Sequence, residues 1–300
     1  MAQEPSGRRD VYQTVTDTII EMIEAGAGRF EMPWHTTGAA LDRPVNVASG
    51  AAYRGVNIVT LWSVAIRRGY AAALWGTYRQ WAKIGAQVKK GEAGSPIVFY
   101  KRIEPGEDNE SPGRRDRLIA RLSWVFNGEQ VDGFEPPKVT AASEVVAVQS
   151  VESLVRRTGA IVRYGGDMAY YTPAGDHIQM PPPAQFTGTA TSSPTEAFYG
   201  TLLHELVHWS GAKHRLDRDL VDRFGIEAYA VEELIAEIGA AFLCCELRVT
   251  PTARRDHAAY VDHWLRVMRA DKRAIVSAAS RASQATEYLL ALDATERLSA

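Results

Sequence analysis

LLHELVHWSGAKHRLDRDL, residues 202–220, decides the class of fold. Within it HELVH (204–208) places two histidines four residues apart. On a helix that spacing stacks His204 and His208 on one face, one turn apart, so both imidazoles can reach one ion. Glu205 projects ~100° away, close enough to hold and deprotonate a water at that ion. The preceding residues are suited to starting a helix. Ser193 with Glu196 three residues on forms a capping box, and Pro194 takes the first helical position. A wheel at ~100° per residue puts His204, Ala197, His208 and Thr201 in one arc of ~60°, with Tyr199, Leu202, Leu203, Leu206 and Val207 opposite. Two chance histidines of a core or surface need no such space between small neighbours, so the pattern favours a metal site.

Such a site needs a third protein ligand. HELVHWSGAKH (204–214) fits the pattern HExxHxxGxxH, in which Gly211 permits a turn and His214 closes the site. That arrangement also requires a Met-turn, for which Met268 is a poor candidate. The other source is YAVEELIAEIGAAFLCCEL (229–247), where Glu233 and Glu237 share a stripe with Ala230, Ala240 and Cys244. Carboxylates flanked by small residues belong on a face buried against another helix, and a buried carboxylate needs a cation or strong donors. Glu233 is the favoured third ligand, with Glu237 one turn on as partner to a ligand histidine; His214 stays open as the alternative. Zinc is the default ion for two histidines, one carboxylate and an open position, and manganese also suits the set.

Further out the charge is uneven. The 300 residues carry a net charge of −2, but 43–103 holds ten Lys/Arg against Glu92 alone, a net of +9. Eight aromatics lie in the same segment, a mixture suited to phosphate attraction and base stacking on single-stranded nucleic acid. Each aromatic taken alone is more simply a packing residue; the segment as a whole favours DNA. The candidate contacts are Arg54, Trp62, Trp75, Tyr78, Arg79, Trp81, Lys83, Lys89 and Lys90. The turn VKKGEAGSPIV (88–98) is the favoured phosphate contact, since its glycines give close backbone access.

The rest of the chain reads as α+β. Helices are expected at 11–26, 56–69, 77–85, 143–157, 194–210, 226–247 and 253–291, the last with room for a break. Strands are expected at 96–103, 118–127, 160–164, 168–171 and 177–180, the first two joined by a polar loop over 104–116. DGFEPPKVT (132–140) has linker composition, which divides the chain into a unit at 1–135 and another at 140–300. The longest apolar run, 238–245, is far short of the ~20 residues of a membrane span. The N-terminus has no signal-peptide pattern, and the two cysteines, Cys244 and Cys245, are adjacent, which suits a reducing cytoplasm.

Together these residues resemble the ArdC family of plasmid-borne antirestriction proteins. The likeness is carried by PW (33–34), PVNVASGAAYRGVNIVTLW (44–62) and WGTYRQWAKIGAQVKKGEAGSPIVFYK (75–101), then by LLHELVHWSGAKHRLDRDL (202–220) and YAVEELIAE (229–237). The three N-terminal stretches are similar to the single-stranded-DNA-binding domain of those proteins and of certain conjugative primases. The two C-terminal stretches resemble their zincin-type (gluzincin-like) metallopeptidase domain. The resemblance implies protection of incoming plasmid DNA from host restriction during conjugation. It also implies catalytic and metal roles at His204, Glu205, His208 and Glu233. An alternative is a DNA-dependent metalloprotease that cuts DNA-bound or host restriction proteins.

Overall fold

The computed structural model describes residues 10–25, 42–103, 117–135, 144–188, 192–218, 226–249 and 257–292. The loop expected at 104–116, Pro33–Trp34 and most of the linker at 132–140 lie outside them.

The N-terminal stretch runs α1 (Val11–Ala25), β1 (Val45–Asn46), α2 (Val56–Arg68), β2 (Leu74–Gly76), α3 (Tyr78–Lys83), β3 (Gln87–Val88), β4 (Ser95–Ile103), β5 (Arg117–Asn127) and β6 (Val131–Asp132). β4 and β5 pair antiparallel over nine residues, from Ser95↔Val125 to Ile103↔Arg117. β2 joins the other edge of β5, and β1 lies parallel to β2, giving the order β1-β2-β5-β4. β3 and β6 form a separate two-stranded ribbon. α3 is only six residues long and starts on a reciprocal capping box between Thr77 and Gln80. The two- and three-residue strands were not expected, because so short a segment carries no readable alternation.

The C-terminal stretch runs α4 (Glu144–Thr158), β7 (Ile161–Tyr164), β8 (Tyr170–Thr172), β9 (His177–Met180), α5 (Pro194–Ser210), α6 (Ile226–Leu247), α7 (His257–Ala270) and α8 (Ala274–Ala291). The small sheet has the order β7-β9-β8. The helix expected over 253–291 is interrupted between Ala270 and Ala274, and 253–256 lie outside the described residues.

One hydrophobic core crosses the expected boundary. Val15 and Ile19 of α1, Ile58 and Trp62 of α2 and Val98 of β4 belong to the same buried cluster as Leu206, Ile238, Phe242, Ala278 and Leu289. An amphipathic helix must bury its apolar face against something; α1 and α2 bury Met22, Leu61 and Val64 with Trp75, Ile97 and Val125 of the N-terminal sheet, and Val15, Ile19, Ile58 and Trp62 in the core shared with the C-terminal helices. Polar ties reinforce the seam. Arg43 pairs with Glu246 at 2.6 Å, the Gly55 amide donates to Ser283 Oγ at 3.0 Å, and Thr16 Oγ1 donates to the Lys272 carbonyl at 2.8 Å.

Candidate metal centre

α5 begins as its sequence dictates, with Ser193 and Glu196 bonded reciprocally and Pro194 in the first turn. Its last two turns are buried all round, because α6 covers the histidine face that the wheel left beside small residues. The approach is close: a Cβ on Gly239 of α6 would stand 2.9 Å from Val207 Cγ2 on α5. Glycine at this position therefore sets the separation of the two helices that carry the site. The stripe Ala230, Glu233, Glu237, Ala240 and Cys244 is buried throughout.

The two helices bring three donors to one point. His204 Nε2 and His208 Nε2 lie 3.1 Å apart, and the two oxygens of Glu233 divide between them, Oε2 3.4 Å from His204 Nε2 and Oε1 3.4 Å from His208 Nε2. Tetrahedral ligation with bonds of about 2.0–2.1 Å spaces ligand atoms by roughly 3.3 Å, so the triangle fits one ion. These three residues are the one such group among the described residues, and they could hold a divalent metal. Zinc and manganese both suit two imidazoles and a carboxylate. Burial would raise the Glu233 carboxyl, but the His208 and His204 imidazoles beside it hold it far below its usual range. Burial also opposes charge on His208, yet Glu233 and Glu232 push it up to about 10. Glu205 is buried at 2% exposure beside the pair.

Outside the triangle, Glu237 Oε2 comes within 3.7 Å of His204 Nδ1, beyond hydrogen-bond length. The closer carboxylate is one that sequence reasoning missed: Glu232 Oε1 stands 3.1 Å from His208 Nδ1. Its partner Arg218 lies within the 202–220 motif but shows no role there, since only tertiary structure brings the two together.

His214 does not enter the group. It is 64% exposed and faces Asp176 at 3.4 Å. Arg215 beside it lies 3.6 Å over the Trp209 ring and binds Asp176, which holds the turn after α5 away from the triangle. Gly211 is helical at φ −80°, so it is not there for a left-handed turn. It makes room, because a Cβ would lie 2.7 Å from the Arg218 guanidinium.

The nine candidate DNA contacts divide by exposure. Trp62, Trp75 and Trp81 are buried to 3% or less, so these three indoles form no stacking surface, and their expected role is corrected to packing. Trp62 donates to the Asp42 carbonyl at 2.9 Å and Trp81 to the Phe126 carbonyl at 3.0 Å, as buried indoles require. Tyr78, Arg79 and Lys83 are exposed on α3, and Lys89 and Lys90 are exposed in the turn after β3. Arg54 is exposed and faces Glu287 at 3.5 Å. Among the described residues of this part, the aromatic rings that stand exposed are Tyr78, Phe99, Tyr100 and Trp124. Strand alternation separates exposed Phe99 from buried Val98, but Trp and Tyr look alike in sequence whether they pack or stack.

The fold and the three-donor group define a zincin-like protein, with an α+β unit before it. The family model described as a zincin-like metallopeptidase matches residues 149–281, and that of the N-terminal domain of anti-restriction factor ArdC matches 9–126. The crystal structure of the antirestriction ArdC protein of plasmid R388 is 39% identical, with a TM-score of 0.76 over 95% of this chain and 98% of that one. Its Mn(II)-bound form gives 0.74 at the same identity and coverage. The protein y4eC of Sinorhizobium fredii is 47% identical over 95% of this chain and 93% of its own length. Two Escherichia coli DNA primases TraC are 33% and 34% identical, and the match spans only 20% and 27% of them. The chain belongs to the ArdC antirestriction family.

Proposed function

We propose that this protein binds single-stranded DNA through its N-terminal part, about 1–135, and protects incoming plasmid DNA from host restriction during conjugation. It would do so in the cytoplasm; no helix among the described residues is long and apolar enough to cross a membrane. The observation that carries this reading is the end-to-end likeness to an antirestriction protein in both halves of the chain. The exposed cations Arg79, Lys83, Lys89 and Lys90, near exposed Tyr78, supply the charge and ring surface that single strands need.

The part from about 140 carries the metal centre. A divalent ion held by His204, His208 and Glu233 would supply Lewis-acid activation of a carbonyl and of water. Glu205 would take a proton from that water and pass it on. All four residues are less than 10% exposed, which supports a centre covered against general substrates.

The test is restriction protection in a conjugation assay with Glu205→Ala. Glu205 is outside the three-donor group and the N-terminal part, so the variant should keep both metal and single-strand binding. Protection should survive if shielding the strand is the mechanism. A variant that binds DNA normally yet loses protection would replace this reading with proteolysis of a host factor.

A further inference from the structure

The Arg218 side chain is only 6% exposed, and its guanidinium grips two helices at once. Toward α6, Nε donates to Glu232 Oε2 at 3.1 Å and a terminal nitrogen donates to Oε1 at 2.9 Å, a two-pronged clasp of the carboxylate. Toward α5, the same terminal nitrogen donates to the Val207 carbonyl at 2.6 Å and the other to Ser210 Oγ at 3.1 Å. Val207 and Ser210 flank His208 on the turn that aims its imidazole. Glu232 Oε1 meets that imidazole at Nδ1, 3.1 Å away.

The chemistry of the contact is directional. A carboxylate clasped by a guanidinium accepts hydrogen bonds and donates none, so Nδ1 carries the hydrogen. In the neutral ring that an ion requires, the Nε2 lone pair is then the one facing His204 and Glu233. The carboxylate's terminal torsion is otherwise soft, and the paired bonds from Arg218 fix its plane. His204 has no equivalent: its Nδ1 has no hydrogen-bond partner among the described residues. The two candidate ligand histidines are therefore held unequally.

The geometry points to Arg218 as a positioning residue for the metal centre. It fixes Glu232, which in turn sets the ring orientation and tautomer of His208. Gly211 serves the same arrangement, since a side chain there would occupy the place of the guanidinium. This inference rests on the metal reading given above.

The experiment is a Zn(II) competition titration against a chromophoric chelator, on the full-length chain. Zinc bound by the parent and lost in His208→Ala establishes the centre; a parent that binds none would remove the metal reading itself. With the centre established, Arg218→Met should weaken zinc binding about 10- to 100-fold, as removal of an outer partner of a ligand histidine does. Arg218→Lys should recover only part of that, because an ammonium cannot span both oxygens. In a Glu232→Gln background, Arg218→Met should add less than about threefold, since the two act through one contact. Unchanged affinity in Arg218→Met, or penalties that simply multiply in the double variant, would overturn the proposal. Should Arg218→Met fail to fold, the parent decides. Zinc-loaded protein labelled with nitrogen-15 in histidine should show a slowly exchanging His208 Nδ1–H proton that shifts in Glu232→Gln. Its absence from the parent would also overturn the proposal.

Discussion

Trp62 of α2 and Phe242 of α6 meet edge to face, with ring centroids 5.6 Å apart. The contact lies on the seam between the N-terminal part and the helix that carries Glu233. Nine residues, about two and a half turns of α6, separate Phe242 from that carboxylate. One helix therefore carries both the seam contact and the Glu233 carboxylate.

Trp62→Ala should cost about 3–5 kcal/mol, because it empties a large buried volume in the shared core. The full-length chain should melt in one cooperative transition, shifted down in the variant, when followed by circular dichroism. Two separate transitions in the parent would contradict a shared core. For the same reason a fragment ending at 135 should not fold alone, since it would expose Val15, Ile19 and Trp62. DNA-binding measurements therefore belong on the whole chain.

Glu233→Ala should abolish stoichiometric metal, whereas His214→Ala should leave it unchanged, as read by elemental analysis of the purified proteins. The distances decide between the two: Glu233 sets Oε2 3.4 Å from His204 Nε2 and Oε1 3.4 Å from His208 Nε2, while His214 faces Asp176 at the surface. Metal lost with His214 and kept without Glu233 would reverse the assignment.

How much of the fold and site is legible in the sequence depends on what each feature rests upon. α5 and α6 are readable to the residue, because the capping box and the long apolar pattern are local signals. Glu233 is readable because small residues beside a carboxylate mark a buried face. Glu232 is not, since it lies ~100° off that stripe and gains its role from Arg218, fourteen residues away in sequence. Linker-like composition near 132–140 points to separate units, but the apolar faces of α1 and α2 cannot say which helices will cover them.

Proton linkage follows from His208, raised to about 10 against an ordinary value of 6.5 by Glu233 and Glu232, despite burial. In the metal-free protein at pH 7 this imidazole is protonated, and it must give up that proton before Nε2 can bind an ion. Zinc affinity should therefore rise with pH toward about 10, and each ion bound near neutrality should release a proton. Calorimetry in buffers of different ionisation enthalpy measures that release. The stability effect has the opposite sign. A folded value above the unfolded one stabilises the metal-free chain fully below pH 6.5, and the contribution is lost as pH rises through about 10. Zinc affinity that is flat between about pH 6 and 9 would show that His208 is already neutral.

The DNA surface can be tested by separating exposed charge from buried rings. Replacing Arg79, Lys83, Lys89 and Lys90 by glutamine removes up to four phosphate-binding cations without touching the core, since all four are exposed. The slope of log affinity against log salt should then fall by about 0.7 for each phosphate no longer neutralised, as expected for a single strand. Tyr78→Ala should cost about 1–3 kcal/mol of binding if a base stacks on it. Trp81→Ala should instead lower stability, because its ring is fully buried and packs against Phe134 with centroids 5.0 Å apart. Anisotropy of a labelled oligonucleotide at several salt concentrations, read beside a thermal melt, distinguishes these outcomes. If the quadruple variant keeps the parent's salt slope, the strand runs elsewhere, and the exposed rings Phe99 and Trp124 of β4 and β5 become the next surface to probe by substitution.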